Sequence, residues 1–396
     1  MVIVNQHGDN RGDEAAMRAM IRRIAAERPG SRFTVVHQFT DPASEVDVGP
    51  PVTYLPLRLP AAEAARLLLF ALLRAARLDV RRLPGPRGRR LVAAYESARL
   101  VISAPGGPYF GDTYASHEAV HWFYVWLAVL MERPVVLYAP SVGPFRHRLL
   151  NPLRRRGFRW FESITIREEI SARMLEELLG GEARVEVTAD SALQESSAPA
   201  SRDDWVPAGD AGLLVVVAVR RPRGERAAAH DDALLAGFEA LCRRERAHLV
   251  FLPQLHGPRH KDQPYFEELA GRVEGAASVR VVDETALDSD GQRSLIAAAD
   301  LVIAGRYHPA VFSVAAATPV LVIPYEHKSW GLARAAGIDR WAVDVADAEG
   351  DAVAIAVDRL LDSLDEVKRR IESRRDALTT AARRSTTIAL AALNGG

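Results

Sequence analysis

"VIAGRYHPAVFSVAAATPVLVIPYE" spans residues 302–326. A short apolar run, preceded by Asp300, ends at Gly305 and reads as a buried strand over Leu301–Ala304. Pro309 suits the first position of a helix, where its missing N–H costs nothing, so His308 is the expected N-cap. Small residues over 310–317 pack a short helix close to a sheet, and Val320–Ile323 is the next buried strand. Arg306 and His308 thus fall in a strand-to-helix loop at the carboxyl edge of a parallel sheet, where open α/β sheets bind ligands. An arginine beside a helix N-terminus favours anions, phosphate above all. An ordinary surface ion pair is the plain alternative for this loop.

The same strand–helix alternation extends in both directions. Upstream, strands are expected at Val2–Val4, Phe33–Val36, Leu100–Ser103 and Pro134–Tyr138, with helices over 12–27, 61–78 and 115–131. "DVRRLPGPRGRR" (79–90) reads as a loop. "ESSAPASRDDWVPAGDAG" (195–212), rich in Ser, Pro, Ala and Asp, breaks the pattern and reads as a linker. A second series then starts at Leu213–Val219 and continues at 248–252, 279–282, 301–304 and 320–323. "SARLVISAPGG" (97–107) and "AADLVIAGRYH" (298–308) echo each other across the linker. The expectation is α/β: two Rossmann-like, doubly wound domains facing a cleft, over 1–197 and 205–350. Residues 351–396 are expected as a C-terminal helical segment, broken near 362–365.

Composition narrows the function. A 396-residue chain favours two domains over one core. Lysine plus arginine number 51, aspartate plus glutamate 51, so no charge excess calls for nucleic acid. Cys242 is the only cysteine, which removes a disulfide framework and fits a reducing, cytoplasmic setting. The apolar stretches 67–73 and 122–131 are too short to span a bilayer, and no signal peptide is visible.

Several strand ends carry chemistry-bearing loops. In "NQHGDNRGDEAAM" (5–17), Asn5, Asp9 and Asp13 either bind substrate hydroxyls or serve a tight turn with helix capping. G-x-G-x-x-G is absent there, so no dinucleotide fingerprint is present. "SAPGGPYFGD" (103–112) offers Gly106 and Gly107 for close backbone approach to a ligand. Asp190 closes a strand in "VTADSAL", and Arg167 follows one in "SITIREEISARML". His117-Glu-Ala-Val-His121 matches H-E-x-x-H, but no third ligand is evident, and chance occurrence is the preferred reading. His256 and His260 are four apart, but Gly257 and Pro258 argue against the helix a metal pair needs. No metal site is expected.

Taken in order, "GDNRGDEA", "SAPGGPYFGD", "APSVGPF", "ITIREEISARML", "VTADSAL" and "DLVIAGRYHPAVFSVAAATPVLVIPYEHKSWGL" resemble the polysaccharide pyruvyl transferase family over roughly residues 1–340. The last stretch is the most specific: Arg306-x-His308, then Tyr325 and Lys328, with Tyr307 where the family commonly has leucine. The resemblance implies a GT-B-like fold. It also implies a transferase that moves pyruvate from phosphoenolpyruvate onto two hydroxyls of a sugar or glycan, lipid-linked in some settings, without a metal or other cofactor. It makes Arg306 and His308 catalytic and gives the donor to Arg167, Arg306, Tyr325 and Lys328. The acceptor side falls to Asn5, Asp9, Asp13, Gly106, Gly107 and Asp190. A histidine ordinarily titrates near pH 6.5, which suits His308 to carry a proton. A GT-B glycosyltransferase using a nucleotide sugar, with Glu326 on the ribose, is the alternative. Location at the inner face of the membrane, through the arginine-rich loop 77–90, is set against a merely solvated basic loop.

Overall fold

The computed structural model describes residues 1–39, 44–56, 59–78, 80–107, 109–181, 184–221, 224, 226–258 and 260–393, and in the helix start at 114–116 the backbone alone. Asp79, Pro108 and Arg259, within three of the loops read above, lie outside the described residues.

The chain divides into two units. The first comprises Met1–Gly8, Ala16–Ser191 and Ala381–Gly396. Its strands are β1 (Val2–Gln6), β2 (Phe33–His37), β3 (Val52–Pro56), β4 (Val101–Ser103), β5 (Val135–Leu137), β6 (Ser163–Ile166) and β7 (Val185–Val187). They form one parallel sheet in the order β3-β2-β1-β4-β5-β6-β7. The helices are α1 (Arg11–Glu27), α2 (Ala61–Ala75), α3 (Pro86–Ser97), α4 (Ala115–Leu130), α5 (Asn151–Phe158) and α6 (Glu169–Leu179).

Strand alternation sorts two cores. Val2, Val4, Val101, Val135 and Leu137 face a cluster built with Leu67 and Phe70 of α2, Tyr95 of α3, Val125 of α4, Phe158 of α5 and Leu175 of α6. Ile3, Ile102 and Val136 face the other side, where Met17, Met20 and Ile24 of α1 pack with Ala389 and Leu390. Helices therefore cover both faces, as a parallel sheet requires.

The second unit comprises Asp9–Ala15 and Ala192–Thr380. Its strands β8 (Leu213–Ala218), β9 (Ala247–Phe251), β12 (Ser278–Val281), β13 (Leu301–Ala304) and β14 (Val320–Val322) form a parallel sheet ordered β12-β9-β8-β13-β14. A small antiparallel hairpin pairs β10 (His256–Gly257) with β11 (His260–Lys261). Helices α7 (Ala227–Arg244), α8 (Gln263–Ala270), α9 (Ser289–Ala298), α10 (Tyr307–Ala316), α11 (His327–Ala336), α12 (Ala352–Leu361) and α13 (Leu364–Ala391) complete the order.

The structure departs from the sequence reading at several points. Residues 79–90 are not loop throughout, because Pro86 opens α3 at a position that needs no N–H. His308 is not the N-cap of α10. Arg306 is, with extended backbone at φ −88° and ψ 144°, and the helix starts two residues before Pro309. A proline in the third helical position still falls in the first turn, where amides lack intrahelical acceptors. Residues 351–393 are no separate segment: α12 packs on α7, where Val353 closes on Gly237, while the end of α13 belongs to the first unit. There Tyr138 shares a 2.5 Å hydrogen bond with Thr386. Asp9–Ala15, expected with the first half, belong to the second unit.

Candidate functional site

In each sheet the strand order reverses direction once, beside β1 and β4 in the first unit and beside β8 and β13 in the second. The carboxyl edge at such a switch point opens a crevice between diverging loops, and ligands of doubly wound folds sit there.

In the second unit that edge carries Arg306 and His308. Gly305 N–H and Arg306 N–H both donate to the carbonyl of Ala218, at 3.0 and 2.9 Å, tying the end of β13 to the end of β8. Gly305 packs closely there: a Cβ would stand 3.1 Å from Val219 Cα, so the backbone after β8 would have to yield by a few tenths of an ångström to admit one. Arg306 donates from Nη2 to Asp262, while its buried Nε has no hydrogen-bond partner among the described residues. Asp262 also accepts from the backbone N–H groups of Gln254 and Leu255, at 3.1 and 3.0 Å. One carboxylate thus fixes both the turn after β9 and the guanidinium.

His308 is buried, and its ring lies on Gly12. A Cβ on Gly12 would come within 1.9 Å of Nδ1, so the glycine of "NRGDE" is a condition of this ring position. Backbone pairing explains why the segment lies there. Asn10 bridges Leu255, Arg11 N–H donates to Gln254 O at 3.0 Å, and His256 N–H donates to Asp9 O at 3.1 Å. Glu14 accepts from Ser289 N–H at 2.9 Å and from Arg11 at 2.7 Å. Asp9, in left-handed backbone at φ 59°, and buried Asp13 therefore share a unit with Arg306 and His308 rather than standing on an acceptor side of the other half.

Tyr325 and Lys328 belong to the same edge, after β14. Lys328 Nζ is 2.8 Å from Glu326 Oε2 and within 6 Å of the Tyr307 and Tyr325 rings. Arg220, directly beyond β8, stacks over Tyr325 at 4.4 Å and lies 3.9 Å from Glu326. Burial opposes the Glu326 charge, but Lys328, Arg220 and His327 outweigh it and hold the carboxyl below its ordinary pKa. The cluster holds Arg220, Arg306 and Lys328 against Asp262 and Glu326, with His308 on Gly12.

The first unit gathers a different set. Asn5, in left-handed backbone at φ 62°, donates from Nδ2 to Ser103 Oγ at 3.0 Å. Its buried Oδ1 has no hydrogen-bond partner among the described residues. Gly106 holds φ 156° and accepts from Ser141 N–H at 3.1 Å; Gly107 follows, with Tyr109 close above it. Arg167 and Asp190 are both buried and joined at 2.6 Å, and Arg167 Nε donates to Ser141 Oγ at 2.9 Å. The donor expectation for Arg167 and the acceptor expectation for Asp190 thus meet in one internal ion pair.

The H-E-x-x-H stretch has other work. Glu118 pairs with Arg154 at 2.7 Å. His121 Nδ1 donates to Tyr109 O at 3.1 Å, so its Nε2 accepts from His7 Nε2 at 2.9 Å and from Gln38 Nε2 at 3.3 Å. Burial and the adjacent His121 and His117 push His7 well below the ordinary histidine pKa; burial takes His121 to about 4. His7 stacks on Tyr109 at 3.7 Å between ring centroids. Among the described residues no group of three or more His, Cys, Asp or Glu is placed to hold a metal. His256 is buried and His260 exposed, at opposite ends of the hairpin register.

Sequence reasoning missed Gly12, Asp262, Arg220 and His7. Only Gly12 had a local signal, the glycine before two acids at a helix start. The partners of the others lie 44 to 114 residues away.

Two parallel α/β units of this kind define the GT-B-like class. Consistent with that, trehalose-6-phosphate synthase OtsA superposes with a TM-score of 0.60 at 13% identity, over 100% of this chain and 99% of that one. The UDP-GlcNAc 2-epimerase of Neisseria meningitidis, solved with UDP-GlcNAc, superposes with a TM-score of 0.59 at 12% identity over the whole of both chains. The profile of the polysaccharide pyruvyl transferase family matches residues 10–327, and the chain belongs to that family of transferases. The amylovoran biosynthesis protein AmsJ of Erwinia amylovora is 24% identical over 394 residues, covering 94% of each chain.

Proposed function

We propose that the protein transfers a pyruvyl group from phosphoenolpyruvate to two hydroxyls of a sugar, forming a ketal during polysaccharide biosynthesis. The observation that carries this reading is the edge of the second unit, where Arg306 and His308 adjoin a helix N-terminus, with Arg220 just past β8 and Lys328 in the first turn of α11, which follows β14. A donor bearing phosphate and carboxylate needs fixed cations, and a guanidinium binds either group through two parallel N–H bonds. Arg306 keeps an unused Nε for this, and Asp262 fixes its orientation. The first turn of α10 adds backbone dipoles that favour an anion.

His308 moves the proton. It either protonates the methylene carbon of the enol or takes the proton of the incoming hydroxyl. The methylene carbon gains one proton as the first hydroxyl adds to the central carbon and gives up its own. Phosphate then departs with the C–O bond electrons, and the second hydroxyl closes the ketal, its proton leaving with the phosphate. Cations around the leaving phosphate stabilise the charge that develops on it. On the acceptor side, Asn5 offers an oxygen without a protein donor, and Gly106 and Gly107 permit a close approach of sugar to backbone. The chemistry assigned to these residues calls for no metal.

The test is mass spectrometry of sugar and lipid-linked sugar candidates incubated with phosphoenolpyruvate, alongside a parallel set given nucleotide sugars. The expected result is a pyruvyl ketal with matching release of inorganic phosphate. Glycosylated product from a nucleotide sugar, with no ketal on any candidate, would overturn the proposal.

A further inference from the structure

Helix α2 poses a packing question. Leu67, Phe70 and Ala71 bury its inner stripe against the sheet. Its outer stripe ought to be polar, as on an ordinary surface helix. Instead it carries Leu68, Leu69 and Leu72, exposed by 48, 46 and 53%. At 100° per residue these three span one arc together with the exposed Ala65 and Ala76. Leu78, 52% exposed, extends the patch past the helix end. A helix apolar on both sides belongs in a core or against a second apolar phase.

Charge decides which phase. Residues 61–90 contain eight arginines and two acids, in a chain whose acids and bases balance overall. Arg66, Arg77, Arg81 and Arg82 are exposed around the leucines. Helix α5 repeats the pattern on the same face of the sheet. Leu153 of α5 and Leu149 just before the helix are 70 and 94% exposed. The exposed Arg148 directly precedes Leu149 and the exposed Arg156 lies one helical turn after Leu153, while Arg155 is tied to Leu178 O at 2.6 Å. Leucines that enter an acyl boundary, ringed by guanidinium groups that meet phosphate, are the chemistry of a helix lying in an anionic lipid interface. Arginine side chains also reach outward from an apolar patch to the headgroup level.

We infer that the first unit docks on an anionic membrane surface through the outer faces of α2 and α5. The segments are too short and too charged to cross a bilayer, and no described helix is long and apolar enough to do so. The inference is independent of the reaction assigned above.

Co-sedimentation of the whole protein with vesicles tests it, comparing phosphatidylcholine alone with phosphatidylcholine plus phosphatidylglycerol. Binding should require phosphatidylglycerol and weaken with added salt. The Leu68→Glu/Leu69→Glu/Leu72→Glu variant alters only exposed positions and should keep its circular dichroism while losing binding by about tenfold or more. Arg81→Glu/Arg82→Glu should lose much of the preference for the anionic vesicles. Absence of wild-type binding to phosphatidylglycerol vesicles would overturn the inference. So would unchanged binding by the leucine variant. A wild-type dimer that this variant converts to monomer would assign the face to a second copy of the chain instead.

Discussion

At the residue scale, the position of His308 depends on a missing side chain. Gly12→Ala would drive a methyl group into the imidazole, because 1.9 Å is far inside contact distance. The ring must leave its place or the 9–15 segment must lift. Turnover should fall about a hundredfold or more, a usual effect of displacing a reacting group by an ångström, and thermal unfolding should move down by the few degrees that overpacking of about 1–3 kcal/mol implies. His308→Ala should abolish turnover with the fold intact. If either variant retains near wild-type turnover in a steady-state assay, His308 is not the proton carrier. Asp190 separates two roles in the opposite way. As half of a buried pair with Arg167, its replacement by alanine leaves a buried guanidinium charge, and chemical denaturation should show a loss of about 3–5 kcal/mol. A stable variant with only a weakened acceptor KM would restore Asp190 to substrate contact.

At the scale of elements, the strands were legible because both faces of a parallel sheet are covered. Short apolar runs such as Leu301–Ala304 and Leu213–Ala218 have no alternative burial. Helix ends were less so. His308 before Pro309 reads as a cap, yet the helix begins at Tyr307 because a first-turn proline forfeits nothing. The 9–15 segment was the least legible. Its sequence shows a glycine turn entering a helix, but its location is set by pairing with Leu255 and Ser289, far along the chain. The same holds for His7 and His121, brought together from β1 and α4. Both are kept neutral by burial, so the unfolded chain binds more protons than the folded one below the ordinary histidine pKa. Their contribution is complete above about pH 6.5 and is lost as pH falls towards the folded value of about 4 for His121. The slope reaches about 1.4 kcal/mol per pH unit for each histidine. Denaturation between pH 7 and 4.5 should show His121→Gln with a shallower decline than wild type. Parallel curves would remove this pair as the cause of acid sensitivity.

At the scale of the molecule, each unit brings its own constellation to the switch point of its own sheet. The expectation of two doubly wound halves rested on the linker and the echoed strand–loop segments. Sequence could not assign the ends of α1 and α13, because each helix continues past the division, at 15/16 and 380/381. The histidines and glutamate of residues 117–121 illustrate the limit of motif reading: Glu118 is held by Arg154, and His121 by Tyr109 O and His7. Turnover should therefore survive exhaustive chelation with EDTA. Loss that zinc restores would return these residues to a metal site.

The central claim is that the cationic edge of the second unit takes phosphoenolpyruvate. Calorimetric titration measures this without knowing the acceptor. Phosphoenolpyruvate should bind the whole protein, and Arg306→Lys should weaken it by about tenfold or more, since an ammonium cannot reproduce the guanidinium fork. Equal affinity in wild type and variant, or binding of a nucleotide sugar where phosphoenolpyruvate gives no heat, would contradict it.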